Sequence, residues 1–185
     1  MLYDQDLFSR VKEETESAWQ SGNLDIKHLC ANSPLLNSIL HETLRLNNGA
    51  GALRSVTEET VIGGKVLQPG NSIMIPFKQL HTNRGVWGST VDHFDPQRFL
   101  NNKNLSRHAS YRPFGGGASY CPGRTMAKEQ VLGFITVLLH RFDFQLADSG
   151  RKQAPFPRLN TVTPSLGVSG PVRGDDVTLI FRPVQ

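Results

Sequence analysis

The chain has 185 residues, 38% of them apolar and 19% charged, which suits one globular domain with a real core. The net charge is +4, and two cysteines, Cys30 and Cys121, exclude a disulfide framework and fit a reducing compartment. No apolar run approaches the ~20 residues of a membrane span, the N-terminus does not read as a signal peptide, and no aromatic-interleaved basic motif points to nucleic acid.

Residues 4–19 carry Leu7, Val11 and Ala18 at helical spacing with charges elsewhere, and predict an amphipathic helix stopped by Gly22-Asn23. A short connector follows through Leu24, Ile26 and Leu29, with Cys30 expected to pack as a small apolar residue. Ser33-Pro34, a cap followed by proline at the first helical position, opens the helix SPLLNSILHETLRLN. Its apolar stripe is Leu36, Ile39, Leu40 and Leu44. Glu42 and Arg45, three apart, lie side by side at the edge of that stripe. Taken alone, they read as a surface ion pair contributing roughly 0.2–0.5 kcal/mol.

The NNGAG stretch at 47–51 ends this helix. Strand-like pieces at 53–56, 60–62, 65–67 and 72–75, with turns at Gly63-Gly64 and Pro69-Gly70, predict a small β-meander. Residues 78–84 read as one helical turn, FDPQRF occupies 94–99, and 101–110 form a polar loop. Between Lys78 and Lys128 eight basic residues face two acids, Asp92 and Asp95, a balance of 8 − 2 = +6. Such a patch is either a solvated basic face or a docking site for an acidic protein partner.

Residues 111–124 read YRPFGGGASYCPGR. Gly115, Gly116 and Gly117 follow Pro113 and Phe114, a glycine density that demands a tight loop with unusual dihedrals. A helix is expected directly afterwards and ends near residue 144, its stripe being Ala127, Val131, Phe134, Ile135, Leu138, Leu139 and Phe142. Cys121 therefore stands just ahead of a helix N-terminus, where free N–H groups and the dipole favour a thiolate. Residues 149–157 read as loop and 166–171 as an apolar turn. Short strands are expected within 156–162 and 164–184, the best alternation lying at 176–181.

Cys121 admits a bland reading, an incidental buried cysteine in a glycine-rich loop. The loop is not a phosphate-binding loop, because no Gly-Lys-Ser/Thr follows the glycines. A nucleophilic cysteine would need a histidine base, and no family-type signature surrounds this one. A stiff small-residue loop aiming N–H groups at sulfur does suit a soft iron ligand.

Phe114, Gly117, Cys121 and Gly123 satisfy F-x-x-G-x-x-x-C-x-G, and with ETLR at 42–45 and FDPQRF at 94–99 the chain resembles the cytochrome P450 family. The resemblance runs through nearly the whole chain in family order. It implies a mixed α and β, mainly helical fold: residues 1–185 would be the C-terminal part of a single cytochrome P450 domain, with small β-sheets and the cysteine-ligand loop. Within the family, SPLLNSILHETLRLN, ALRSV and PFGGGASYCPGR look most like the sterol hydroxylase and prostacyclin synthase branch.

The same resemblance implies haem b as cofactor, with Cys121 as its thiolate iron ligand. Phe114, Gly117 and Gly123 would shape the haem-binding loop. Where many relatives carry Arg or His two residues before the cysteine, this chain has Ser119, so Arg54 and Arg112 would take more of the propionate binding. Glu42, Arg45 and Arg98 would form a buried triad, with Gln97 replacing the family's usual Glu beside Arg98.

The implied activity is that of a monooxygenase acting on a small apolar or lipid-like substrate, fed by an NADPH-dependent reductase with an acidic docking face. The turns at 50–53 and 166–168 would touch that substrate. A haem-thiolate isomerase or dehydratase and an inactive truncated product are the alternatives, and a thiol hydrolase is a distant fourth. The family's distal oxygen-activating helix and membrane anchor are expected to precede these residues. The full-length enzyme would sit at the endoplasmic reticulum membrane, and residues 1–185 alone would not turn over substrate.

Overall fold

In the computed structural model, which describes residues 1–147, 156–160 and 167–184, the first element is helix α1, Gln5–Glu16. Asp4 caps it, its carboxylate accepting from the N–H of Leu7, and Leu7 and Val11 point into the core. A two-residue hairpin, β1 (Trp19–Gln20) with β2 (Asn23–Leu24), turns at Ser21 and Gly22, both at positive φ. The connector expected next is instead helix α2, Ile26–Asn32, started by the Asp25 cap. Its seven residues are too few for a clear apolar period, and only Leu29 is buried.

Helix α3, Pro34–Asn47, follows with Pro34 in its first turn. Ser33 does not cap it through its hydroxyl; the first N–H groups are taken by Glu14, whose carboxylate oxygens accept from Leu35 at 2.8 Å and Leu36 at 2.9 Å. Strands β3 (Gly51–Ser55), β4 (Thr60–Ile62), β5 (Lys65–Leu67) and β6 (Ser72–Pro76) come where the turn residues predict them. They are not a meander: β3 pairs with β6 and β4 with β5, so one hairpin is nested inside another.

The single turn expected at 78–84 is two short helices, α4 (Phe77–His81) and α5 (Arg84–Trp87), separated by Asn83, whose side chain caps the second. Helix α6 (Arg98–Asn101) and a 3-10 turn, Lys103–Arg107, occupy most of the segment expected as loop. Helix α7, Arg124–Arg141, then stops earlier than its apolar run suggests, and Phe142 opens strand β7, Phe142–Leu146. β7 pairs antiparallel with β8, Leu179–Pro183, which lies later than the alternation at 176–181 predicts. Of the expected C-terminal pieces, the loop at 149–155, part of the first strand and Leu166 fall outside the described residues.

The main core joins Leu7 and Val11 of α1, Leu29 of α2, Leu35, Leu36 and Ile39 of α3, and Leu132 and Leu139 of α7. Helices α2 and α7 meet closely at Gly133, where an added Cβ would stand 2.8 Å from Ile26 Cδ1. That approach puts Leu132, Gly133, Thr136 and Leu139 inside and leaves Val131 and Phe134 at the surface; of the stripe expected for α7, Leu139 is buried and Ile135 packs against the core, so the inward face only partly overlaps it. A run apolar on all sides does not reveal which face packs. A second cluster, Trp87, Val91, Phe99 and Tyr111, lies beneath the segment entering the glycine loop. No described helix is long and apolar enough to cross a membrane.

Candidate functional site

The cysteine loop is built from both ends. At its entry, Tyr111 is buried and its hydroxyl meets His41 Nδ1 at 2.8 Å and His41 O at 3.2 Å. In the loop, Gly115 and Gly117 take φ of +79° and +63°, values that side-chain-bearing residues rarely adopt. At Gly116 a Cβ would lie 3.4 Å from the Arg112 side chain. The chain then doubles back, and the N–H of Cys121 donates to Phe114 O at 3.0 Å. Gly123 ends the loop as the residue before α7, with room for a Cβ only 3.8 Å from Cys121 Sγ.

Cys121 is half-buried and borders a cleft of about 710 Å3, inside the usual range for small-molecule sites. β3 supplies one wall with Leu53 and Arg54, α3 and α4 contribute Leu44 and Phe77, and the loop from Arg112 to Gly117 closes the opposite side with Phe114. Gly167 and Val168 complete the lining. Arg54 donates from Nη2 to Ser119 Oγ at 2.8 Å and from Nη1 to Leu53 O at 2.8 Å. The structure thus brings Arg54, Arg112, Phe114, Gly117, Ser119 and Cys121 to one cleft. Of the two expected substrate turns, 50–53 borders the same space; Gly167 and Val168 of the second do so, and Leu166 lies outside the described residues.

On the other face of the loop lies a hollow of about 570 Å3. Arg107, Arg112, Arg124 and Lys128 line it and, among the described residues, no acidic one does. Arg124 stacks over the Tyr120 ring at 4.3 Å and donates from Nη1 to Cys121 O at 3.0 Å. The +6 balance of the sequence is only partly this surface. Arg98 is buried with Glu42, and Arg84 pairs with Asp92 at 3.4 Å.

Glu42, Arg45 and Arg98 form a cluster under the loop, with 0%, 0% and 8% exposure. Glu42 accepts from Arg45 Nε and Nη2 at 2.8 Å each, from Arg98 Nε at 3.1 Å, and from the N–H of Asp95 at 3.2 Å. The outer guanidinium nitrogens go to main-chain carbonyls: Arg45 Nη1 to His81 O at 2.8 Å, Arg98 Nη1 to Trp87 O at 2.9 Å and Nη2 to Thr90 O at 3.1 Å. Every charge has a partner, which makes this burial tolerable. The surface-pair reading of Glu42 and Arg45 is thereby corrected: spacing places them together, and only the fold decides that solvent is absent.

Sequence reasoning missed His81 and Asn48. His81 is fully buried and its Nε2 accepts the N–H of Arg112 at 2.8 Å. Asn48, 1% exposed, donates from Nδ2 to Pro113 O at 2.7 Å. Neither bond is signalled by spacing or periodicity, since each runs to main chain many residues away.

A lone thiol presented by a stiff loop to a largely apolar cleft, with arginines at the rim, has the donor set of a haem-thiolate protein. The sequence matches the profile of the Cytochrome P450 family over residues 1–169, and the chain belongs to that family. It is 32% identical over 181 residues to a cytochrome P450 monooxygenase of Gibberella zeae, covering 90% of this chain and 35% of the relative. It is 29% identical over 146 residues to a bifunctional cytochrome P450/NADPH–P450 reductase of Gibberella moniliformis, covering 77% of this chain and 13% of that one. Among solved structures, a retinoic acid-bound cyanobacterial CYP120A1 superposes with a TM-score of 0.76 at 25% identity, over 97% of this chain and 39% of its own.

The fold is therefore a portion of the cytochrome P450 fold, mixed α and β with small sheets, and the family implies a haem cofactor. These relatives do not support the closer likeness to the sterol hydroxylase and prostacyclin synthase branch. The chain spans 35% or less of the length of the first curated relatives it matches.

Proposed function

We propose that residues 1–185 are the C-terminal part of a single haem-thiolate monooxygenase domain. The enzyme would insert one atom of O2 into a small apolar or lipid-like substrate, the other leaving as water after two electrons and two protons are taken up. The observation that carries this is Cys121, held at the edge of the cleft by its own N–H bond to Phe114 O and lying next to the α7 N-terminus. Bound haem b would supply the iron at which O2 is activated, and the thiolate of Cys121 would be its ligand on the protein side.

The residues of this chain have separable tasks in that reading. Phe114, Gly117 and Gly123 shape the loop around the sulfur. Arg54 and Arg112, with Ser119 as a neutral donor, would hold the propionates by charge-assisted hydrogen bonds. Glu42, Arg45 and Arg98 support the loop from below as structural residues. The apolar segment at 50–53, together with Gly167 and Val168, would touch substrate without charge.

The electron donor in this proposal is an NADPH-dependent reductase whose acidic face meets the basic hollow behind the loop. Fusion of a P450 to its reductase in one relative supports that choice of partner. Membership of a family that includes membrane-bound enzymes supports the endoplasmic reticulum membrane as the site of the full-length enzyme.

The test is made in full-length protein. Cys121→Ser is expected to abolish the thiolate-type ferrous–CO Soret band and NADPH-driven product formation. A Cys121→Ser protein with an unchanged band sinks the assignment of the ligand. Product formed without NADPH or reductase would instead point to an isomerase or dehydratase.

A further inference from the structure

We propose that His81 and Asn48 are positioning residues for Cys121: by gripping the backbone of Arg112 and Pro113 they set where the thiol stands in the cleft. The inference rests on the reading of Cys121 as the iron ligand and extends it to two side chains outside the loop.

The connection runs through four consecutive residues. Cys121 N–H is bonded to Phe114 O at 3.0 Å, so a displacement of Phe114 is passed directly to the cysteine. Ahead of Phe114 the chain is held at every step. The Tyr111 hydroxyl is held by His41 from α3, the Arg112 N–H by His81 Nε2 at 2.8 Å, and the Pro113 carbonyl by Asn48 Nδ2 at 2.7 Å. Proline has no N–H, so its carbonyl is the only main-chain group through which residue 113 can be held by a hydrogen bond.

Both gripping side chains are themselves immobilised. Asn48 is 1% exposed, and its Oδ1 accepts the N–H of Ala50 at 2.8 Å, which uses the other end of the amide and fixes its orientation. One side chain therefore ties the start of β3, a wall of the cleft, to the loop that carries the cysteine. His81 is the last residue of α4 and its carbonyl accepts Arg45 Nη1 at 2.8 Å. Through it the buried Glu42 cluster is joined to the loop entry.

The imidazole is fully buried, and accepting at Nε2 requires the proton to sit on Nδ1, which has no hydrogen-bond partner among the described residues. Burial also lowers the His81 pKa to about 4, so the ring is neutral at neutral pH and Nε2 stays available. A residue chosen for packing alone would not bury an N–H without an acceptor. The acceptor at Nε2 is the part that does something the fold needs.

The test compares His81→Gln, which can offer an acceptor near the same place, with His81→Leu, which cannot, in the full-length haem-loaded protein. Asn48→Asp is the second variant; it keeps the acceptor for Ala50 and removes the donor to Pro113 at almost constant volume. Three readings are taken: the thiolate-type fraction of the ferrous–CO spectrum, the haem reduction potential, and hydrogen exchange of the Arg112 amide.

In His81→Leu the Arg112 amide is expected to exchange roughly tenfold faster or more, as losing about one hydrogen bond predicts. The thiolate-type fraction should fall and the potential should move in the same variant, and His81→Gln should recover most of both. Unchanged spectrum and potential in His81→Leu would overturn the proposal. So would a His81→Gln protein no better than His81→Leu, which would reduce the histidine to packing. If His81→Leu yields no folded protein, Asn48→Asp decides: an altered spectrum and potential support the grip, and wild-type values refute it. A wild-type protein without a thiolate-type band would refute the reading of Cys121 itself, while faster Arg112 exchange in the variants would still show that the grip exists.

Discussion

Arg45 holds Glu42 with both ends of its guanidinium fork, 2.8 Å at Nε and 2.8 Å at Nη2, and neither side chain is exposed. The geometry is bidentate and Arg98 closes the third side, so removing Arg45 takes two of the four hydrogen bonds from a buried carboxylate and leaves Arg98 as its one remaining charged partner. Arg45→Ala should therefore cost roughly 3–5 kcal/mol of folding stability. Little folded, haem-containing protein is expected from that variant. Normal haem content with an unshifted melting temperature would show that the cluster carries no such weight.

Glu14 reaches from α1 to the start of α3, accepting from Leu35 N at 2.8 Å and Leu36 N at 2.9 Å. It does the capping that Ser33 does not, and it sits at the positive end of the helix dipole. Glu14→Ala should cost roughly 0.5–2 kcal/mol, the usual range for a lost helix cap. Glu14→Gln, with one oxygen left to accept, should lose less. Chemical denaturation of the three proteins separates the outcomes, and equal stability would mean that solvent replaces the carboxylate without loss.

These two contacts mark the limit of what the sequence reveals. The spacing of Glu42 and Arg45 makes them neighbours on any helix, but nothing local says that Arg98 and two carbonyls will enclose them. Glu14 looks like one more charge on an amphipathic helix, and Ser33-Pro34 looks like a self-sufficient start. The loop at 111–124 was legible because its glycines and single cysteine have few other uses. His81 and Asn48 were not, because a side chain that bonds to distant backbone leaves no periodicity or spacing. The face of α7 was only partly legible for a related reason: Leu139 and Ile135 of the expected stripe face the core, but Gly133 packs on Ile26, and a glycine gives no apolar signal.

Two buried or half-buried histidines set an acid limit on the fold. Burial, first of all, lowers His41 and His81 from the ordinary value of 6.5 to about 4. Above pH 6.5 both rings are neutral in folded and unfolded chains, and the full stability is present. As pH falls from 6.5 towards 4 the unfolded chain binds protons that the folded chain refuses, so stability declines through that window. Below about 4 the folded form takes them up as well and this contribution levels off. Unfolding free energy measured between pH 7 and 4 should fall, and His81→Gln should flatten the slope by roughly one proton's worth. An identical slope in that variant would remove His81 from the account.

The basic hollow behind the loop contains two cations that should behave differently. Lys128 lines the hollow, and its ammonium reaches Cys30 O at 3.4 Å, away from the cysteine that faces the cleft. Arg124 lines the same surface but also donates to Cys121 O at 3.0 Å and stacks on Tyr120 at 4.3 Å. Reversing Lys128 with Lys128→Glu should weaken encounter with an acidic reductase, raising the reductase concentration for half-maximal turnover several-fold at low salt. The penalty should shrink as salt is added, because exposed charges are screened. Its ferrous–CO spectrum should be that of the wild type. Arg124→Glu should show the same loss of docking together with a changed spectrum, since its guanidinium also fixes the carbonyl of Cys121. Stopped-flow reduction at two salt concentrations, with spectra of both variants, reads the two effects apart. If Lys128→Glu reduces as fast as wild type at low salt, the reductase does not approach through this hollow, whatever Arg124 does to the loop.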